Sequence, residues 1–288
     1  MDEGVALSRF TTIGTGGPAR WFARPETLDG LVESLRWARE RGLPVEVVGL
    51  GSNLLVHDGG VDALVLKLGG ELASVRAEGE LLVAGGGAPN AVCLHRARTA
   101  GLGGFEFASA IPGTAGGGVR MNAGAYGLEW RDVLVDAVVV DADGPRTLDV
   151  TELGLSYRHS DLAPGAVVAQ ARFRLAPSTP DAVKTKVAEL LAQRKATQPT
   201  NKRTFGSVFK NPDGESGAGK LIEDCGLKGT RLGGALISPR HANFIENAGG
   251  ATSDDCLELM AVARQRVRER FGVELEHEVQ FLGPLELP

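Results

Sequence analysis

The chain has 288 residues, a length that suits one large domain or two packed ones, and its 43% hydrophobic and 23% charged residues suit a globular protein with a substantial core. A net charge of -5 supplies no basic field for nucleic acid or for an anionic membrane surface, so large polyanionic partners are excluded. Basic residues gathered around a phosphorylated small molecule remain compatible with that balance.

The first residues, Met1-Asp2-Glu3-Gly4-Val5, are acidic where a signal peptide carries Lys or Arg. Apolar runs such as 133–140 are short and broken by Asp136, well under the roughly 18 residues of a spanning helix. The expectation is a cytoplasmic, monomeric protein without a membrane segment. Cys93, Cys225 and Cys256 are widely spaced and form no CxxC pair, which predicts reduced core thiols.

In chain order, Leu28, Leu31, Val32, Leu35 and Ala38 recur at helical spacing before Gly42 and Pro44, predicting a helix over 28–41. A short apolar run at 45–50 reads as a buried strand that feeds a glycine loop. Further strands are predicted at 61–68, 81–84, 133–140 and 167–175, with a helix from Pro89 to about Ala100. The stretch Ala176-Pro177-Ser178-Thr179-Pro180 marks a domain boundary. Beyond it the pattern predicts helices over 180–195 and from Ser253 to near Phe271, stopped by Gly272. A last strand, 273–281, alternates apolar and polar residues. The whole reads as α+β.

Glycine is the compositional outlier at 40 residues, and it clusters in the first half. In 49–55, Gly49, Gly51, Ser52, Asn53 and Leu54 form a loop after a strand. Its glycines let backbone approach a diphosphate while Ser52 and Asn53 donate to it. Leu54 stands where a dinucleotide fingerprint has its third glycine, and a plain turn is the other reading. The second stretch runs through Ile111, Pro112, Gly113, Thr114, Gly116 and Gly117 to Asn122, Gly124 and Ala125. It is almost free of bulky side chains, as a surface under a long flat cofactor such as FAD requires. A glycine-rich packing turn is the alternative.

Residues 214–220 satisfy the GxxxxGK part of a nucleotide-binding P-loop, but Leu221 replaces the Mg²⁺-binding hydroxyl and a turn precedes it, so an NTPase is disfavoured. The five histidines are scattered, which predicts no metal site, and no GxSxG elbow is present. Taken singly, Arg158 reads as a surface charge, Ser207 as a turn hydroxyl and Glu278 as a solvated carboxylate.

Together, 49–55 (Gly-Leu-Gly-Ser-Asn-Leu-Leu), 111–117 (Ile-Pro-Gly-Thr-Ala-Gly-Gly), 157–160 (Tyr-Arg-His-Ser), 206–212 (Gly-Ser-Val-Phe-Lys-Asn-Pro), 218–223 (Ala-Gly-Lys-Leu-Ile-Glu) and 275–279 (Leu-Glu-His-Glu-Val) occur in order. The set closely resembles the UDP-N-acetylenolpyruvoylglucosamine reductase family over nearly the whole chain. The first two motifs are shared with flavoproteins of the p-cresol methylhydroxylase and vanillyl-alcohol oxidase type. The resemblance implies that fold for a FAD-binding region at 1–176, with a smaller α+β substrate domain at 177–288. It implies non-covalent FAD against the two glycine stretches, and NADPH and UDP-N-acetylenolpyruvoylglucosamine as partners, in peptidoglycan precursor synthesis. It carries catalysis onto Arg158, Ser207 and Glu278, and substrate recognition onto Tyr157, Lys195, Asn211 and His241. A subgroup of the family closes a tyrosine loop over the nucleotide. The short 197–205 connection places this chain with the members that lack it.

These residue types suit the implied reaction. Hydride addition to the enolpyruvyl group builds negative charge on the substrate carboxylate, which the permanent cation of Arg158 stabilises. Glu278 helps only as a neutral acid, and Ser207 protonates the adjacent carbon, aided by a cation such as Lys195. The rival from the same fold is a flavin oxidase that uses O₂, and the rival from another class is a FAD-binding regulator without chemistry.

Overall fold

The computed structural model describes residues 1–214 and 216–288. Glu215, inside the GxxxxGK stretch, lies outside the described residues. The chain forms two compact units. The first comprises Met1–Asp2, Trp21–Leu50 and Ala63–Arg194, and the second Glu3–Arg20, Gly51–Asp62 and Lys195–Pro288.

The first unit is built on a five-stranded antiparallel sheet ordered Gly144–Asp149, Leu134–Asp141, Val167–Arg174, Leu81–Gly85, Val75–Glu78. Helices α1 (Leu28–Glu40), α2 (Asn90–Thr99) and α3 (Ala115–Arg120) accompany it, and Val45–Val47 pairs in parallel with Val61–Leu66. The apolar stripe of α1 buries Leu31, Val32, Leu35 and Ala38, as its spacing predicts, and Thr27 caps it by accepting from the Gly30 N–H. Beneath the sheet, Phe105, Phe107, Trp130 and Phe173 meet mostly edge to face at centroid distances of 5.2–6.3 Å.

The next helix, α4 (Pro180–Thr197), falls where the pattern over 180–195 predicts it. Its Val183 and Val187 pack into the first unit's core, and that compact unit runs to Arg194.

In the second unit an antiparallel sheet runs Thr204–Ser207, Phe244–Asn247, Ala235–Ile237, Arg231–Leu232, with α5 (Ala218–Asp224) and α6 (Ser253–Phe271) beside it. Cys256, Leu259, Met260, Ala263 and Val267 form the buried face of α6, against Phe205, Val208 and Phe209. Thr252, one residue before the predicted start at Ser253, forms a capping box with Asp255, and Gly272 ends the helix in the left-handed region at φ 69°. The expected strand at 273–281 shrinks to Gln280–Leu282, which pairs in parallel with Leu54–Val56. Leu275 and Val279 are nevertheless buried and Glu274 and Glu276 exposed. The alternation reports burial, but only three residues find a ladder partner.

Candidate active site

In the first unit the chain leaves the strand Val45–Val47 with the Val48 N–H bonded to the Leu66 carbonyl at 2.8 Å. The Gly49 carbonyl then accepts from Lys67 Nζ at 2.6 Å. Burial and the neighbouring Arg24 lower the Lys67 pKa. A Cβ on Gly49 would lie 2.8 Å from Thr114 Oγ1, so a side chain here would press on the second glycine stretch.

That second stretch is anchored by backbone. Asn90 Nδ2 donates to the Ile111 carbonyl at 2.9 Å, and the Ala115 and Gly116 N–H groups donate to the Ala88 and Gly86 carbonyls at 2.9 Å each. Thr114 caps α3 by accepting from the Gly117 N–H. A Cβ on Gly116 would lie 2.8 Å from the Gly86 carbonyl oxygen, and one on Gly118 2.3 Å from the Trp130 ring. These two glycines serve packing, whereas Pro112 and Gly117 are exposed and Gly113 half-exposed.

Arg158 is also in this unit, in the left-handed region at φ 55°, a costly conformation for a long side chain. Its Nη2 donates to the Gly124 carbonyl at 2.8 Å, its Nη1 lies 3.6 Å from Glu129 Oε1, and its guanidinium sits 4.8 Å from the Tyr157 ring centroid. Only 15% of the Arg158 side chain is exposed. Buried Asn122 donates to Glu129 Oε2 at 2.9 Å and to the Ser156 carbonyl at 2.8 Å, and accepts from the Arg131 N–H at 3.0 Å. Its amide therefore works inside the protein, ordering the carboxylate beside Arg158.

In the second unit the loop continues at Gly51, φ 65°, where a Cβ would lie 1.9 Å from the Phe10 carbonyl oxygen. Asn53 Nδ2 donates to the Glu278 carbonyl at 3.1 Å, and the Gln280 N–H to the Asn53 carbonyl at 2.9 Å. Leu54 opens the strand Leu54–Val56. Between the pairs Thr204 with Glu246 and Ser207 with Phe244, the strand carries one extra residue, a bulge at Gly206 with φ 82°. A Cβ on Gly206 would lie 3.1 Å from the Ser52 carbonyl oxygen. The Glu278 N–H donates to the Val208 carbonyl at 2.8 Å. Ser52, Asn53, Ser207 and Glu278 are thus brought together on neighbouring backbone.

Asn211 Oδ1 accepts from the Ala218 N–H at 3.1 Å, and a Cβ on Gly219 would lie 2.7 Å from the His241 ring, so Asn211 and His241 both border the turn into α5. Burial, then the Lys228 charge, lowers the His241 pKa. The Lys195 carbonyl accepts from Arg240 Nη2 at 2.6 Å. Lys220 pairs with Asp224 one turn along on the exposed side of α5. The five expected substrate and catalytic residues of this unit, Lys195, Ser207, Asn211, His241 and Glu278, stand apart in sequence from Tyr157 and Arg158 of the first.

Both glycine stretches suit FAD chemically. Neither 49–54 nor 111–125 contains a carboxylate, and both present backbone that added side chains would obstruct. Sequence reasoning missed Lys67, Asn90 and Glu129, which hold these elements. For Lys67 a signal existed, a charge directly ending an apolar strand; for Glu129 nothing local separates it from a surface carboxylate.

The family description "FAD binding domain" matches residues 19–147, and "UDP-N-acetylenolpyruvoylglucosamine reductase, C-terminal domain" matches 198–282. The UDP-N-acetylenolpyruvoylglucosamine reductase of Anaeromyxobacter dehalogenans strain 2CP-C is 46% identical over 96% of this chain and 84% of its own length. This chain belongs to the UDP-N-acetylenolpyruvoylglucosamine reductase family. The Sphingopyxis alaskensis reductase is 44% identical over 97% of this chain and 94% of its own. The crystal structure of the reductase from Thermus caldophilus superposes with a TM-score of 0.85 at 38% identity, covering 97% of this chain and 98% of the other. The chain is an oxidoreductase of this family, with its FAD-binding domain and α+β fold. Among the described residues no helix is long and apolar enough to cross a membrane.

Proposed function

We propose that this chain uses NADPH and non-covalently bound FAD to reduce the enolpyruvyl group of UDP-N-acetylenolpyruvoylglucosamine, giving UDP-N-acetylmuramate for peptidoglycan precursors. The observation that carries the reading is Arg158. A largely buried guanidinium in a left-handed backbone conformation, tied by the Gly124 carbonyl and Glu129, is a cation fixed where a surface arginine would be loose.

FAD would be held by Gly49, Gly51, Ser52, Asn53 and Leu54 and by Ile111, Pro112, Gly113, Thr114, Gly117, Gly124 and Ala125, with Gly116 packed behind that loop. Asn122 acts there through Glu129, not by touching the cofactor. When bound, FAD supplies the hydride, taken from NADPH, that reaches the terminal enolpyruvyl carbon. The carbon–carbon double-bond electrons then move towards the substrate carboxylate, whose growing charge Arg158 stabilises. Glu278, as the neutral acid, donates a hydrogen bond to the same oxygens. Ser207 gives its proton to the carbon bearing the ether oxygen, completing the addition of one hydride and one proton. The bulge at Gly206 immediately precedes it. Lys195, Asn211, His241 and Tyr157 bind the UDP-sugar, the cation and donors meeting its diphosphate.

Mass spectrometry of the UDP-sugar after incubation with enzyme and NADPH tests the reading. A lactyl product formed only with both partners present supports it. Unchanged UDP-sugar beside steady NADPH consumption and O₂ uptake would instead indicate an oxidase.

A further inference from the structure

Lys67 directly follows the strand Val61–Leu66 and is half-buried. Its Nζ donates to the Gly49 carbonyl at 2.6 Å, and the Val48 N–H donates to the Leu66 carbonyl at 2.8 Å. The end of this strand therefore grips the start of the first glycine stretch at two successive points. The gripped residue is also where the two stretches meet, since a Cβ on Gly49 would lie 2.8 Å from Thr114 Oγ1. All of these residues belong to the first unit. The peptide between Gly49 and Leu50 is planar and trans, so fixing its carbonyl also fixes the opposite direction of the Leu50 N–H.

A neutral donor can hold a carbonyl without burying a charge. Here the donor is an ammonium, and burial, then the neighbouring Arg24, works against its charged form. Two cations thus stand beside a stretch, 49–54, that contains no carboxylate. An anion bound at that stretch offsets the cost, and backbone amides between glycines suit a diphosphate. We propose that Lys67 is a positioning residue for FAD, fixing the Gly49 peptide and supplying positive charge to the loop that meets the cofactor's diphosphate. The proposal rests on 49–54 being that loop. Its consequence is specific: Lys67 acts on the phosphate part of FAD and leaves the hold on the flavin ring unchanged.

The test uses apoenzyme stripped of FAD, in native form and as Lys67→Met, Lys67→Gln and Lys67→Arg, with flavin binding measured by calorimetry. Met removes donor and charge, Gln keeps a neutral donor, and Arg keeps the charge. Lys67→Met raises the FAD Kd roughly ten- to a hundredfold, the size of one hydrogen bond to a charged group. Lys67→Gln recovers little of that loss and Lys67→Arg most of it. The Kd of riboflavin, which has the same ring and no phosphate, stays near its native value in all three. Added salt weakens native FAD binding, and Lys67→Met flattens that dependence. An unchanged FAD Kd in Lys67→Met would overturn the proposal. So would an equal loss for FAD and riboflavin, which marks a disordered loop and no action on phosphate. Full recovery in Lys67→Gln assigns the side chain to holding the carbonyl alone and overturns the role of its charge. If chemical denaturation shows that Lys67→Met does not fold, the contrast between Gln and Arg decides the same question. A native apoenzyme that binds FAD no more tightly than riboflavin sinks the reading of 49–54 as the diphosphate loop, whatever the variants do.

Discussion

Arg158 depends on its neighbours. Glu129 lies 3.6 Å from its Nη1 and is held by Asn122 and by Arg131 at 3.0 Å. Arg158→Ala should slow flavin reoxidation by the UDP-sugar about 10²–10³-fold, the cost of losing one donor to a developing oxyanion, while NADPH reduces the flavin at near the native rate. Glu129→Gln keeps an oxygen acceptor but loses the charge. It should slow the same step by up to about 10²-fold, the cost of a misplacement of about 1 Å, again sparing reduction. Stopped-flow absorbance separates the two half-reactions. Equal slowing of both would return Glu129 to its capping-box role at 129–132. Ser207→Ala should slow reoxidation about 10²–10⁴-fold with substrate Kd unchanged, and Ser207→Cys should restore part of the rate because a thiol also donates a proton. Native-rate reoxidation in Ser207→Ala would remove this hydroxyl as the acid.

At the scale of elements, α3 shows where the sequence was readable and where it was not. Ala115-Gly116-Gly117-Gly118 has poor helix propensity and reads as cofactor-facing loop, yet it opens a capped helix. The reason is tertiary: Gly116 admits the Gly86 carbonyl and Gly118 the buried Trp130 ring, neither of which is near in sequence. Gly118→Ala, whose Cβ would lie 2.3 Å from a ring without room to retreat, should destabilise by about 1–3 kcal/mol. Chemical denaturation of the apoprotein measures it, and native stability would show that the ring shifts freely. By contrast α1 was legible from its spacing, and α6 nearly so, because each buries a single regular stripe. The final strand was over-read because alternation reports burial, and a ladder partner at 54–56 is invisible locally.

For the whole molecule, motif order revealed the family while composition revealed only a globular protein. The division into units was least legible. Glu3–Arg20 and Gly51–Asp62 join the C-terminal part through contacts such as Asp58 Oδ1 with the Gly16 N–H at 2.9 Å and Asp58 Oδ2 with the Ser253 N–H at 2.6 Å. No local pattern announces partners so distant along the chain. The same division assigns Arg158 to one unit and Ser207 and Glu278 to the other. The most direct measurement is the visible spectrum of the anaerobic enzyme, first with one equivalent of NADPH and then with UDP-N-acetylenolpyruvoylglucosamine. The predicted result is a yellow protein that bleaches with NADPH and regains its colour with the UDP-sugar, releasing free FAD on acid denaturation. A flavin that NADPH leaves oxidised, or that O₂ but not the UDP-sugar restores, would contradict the account.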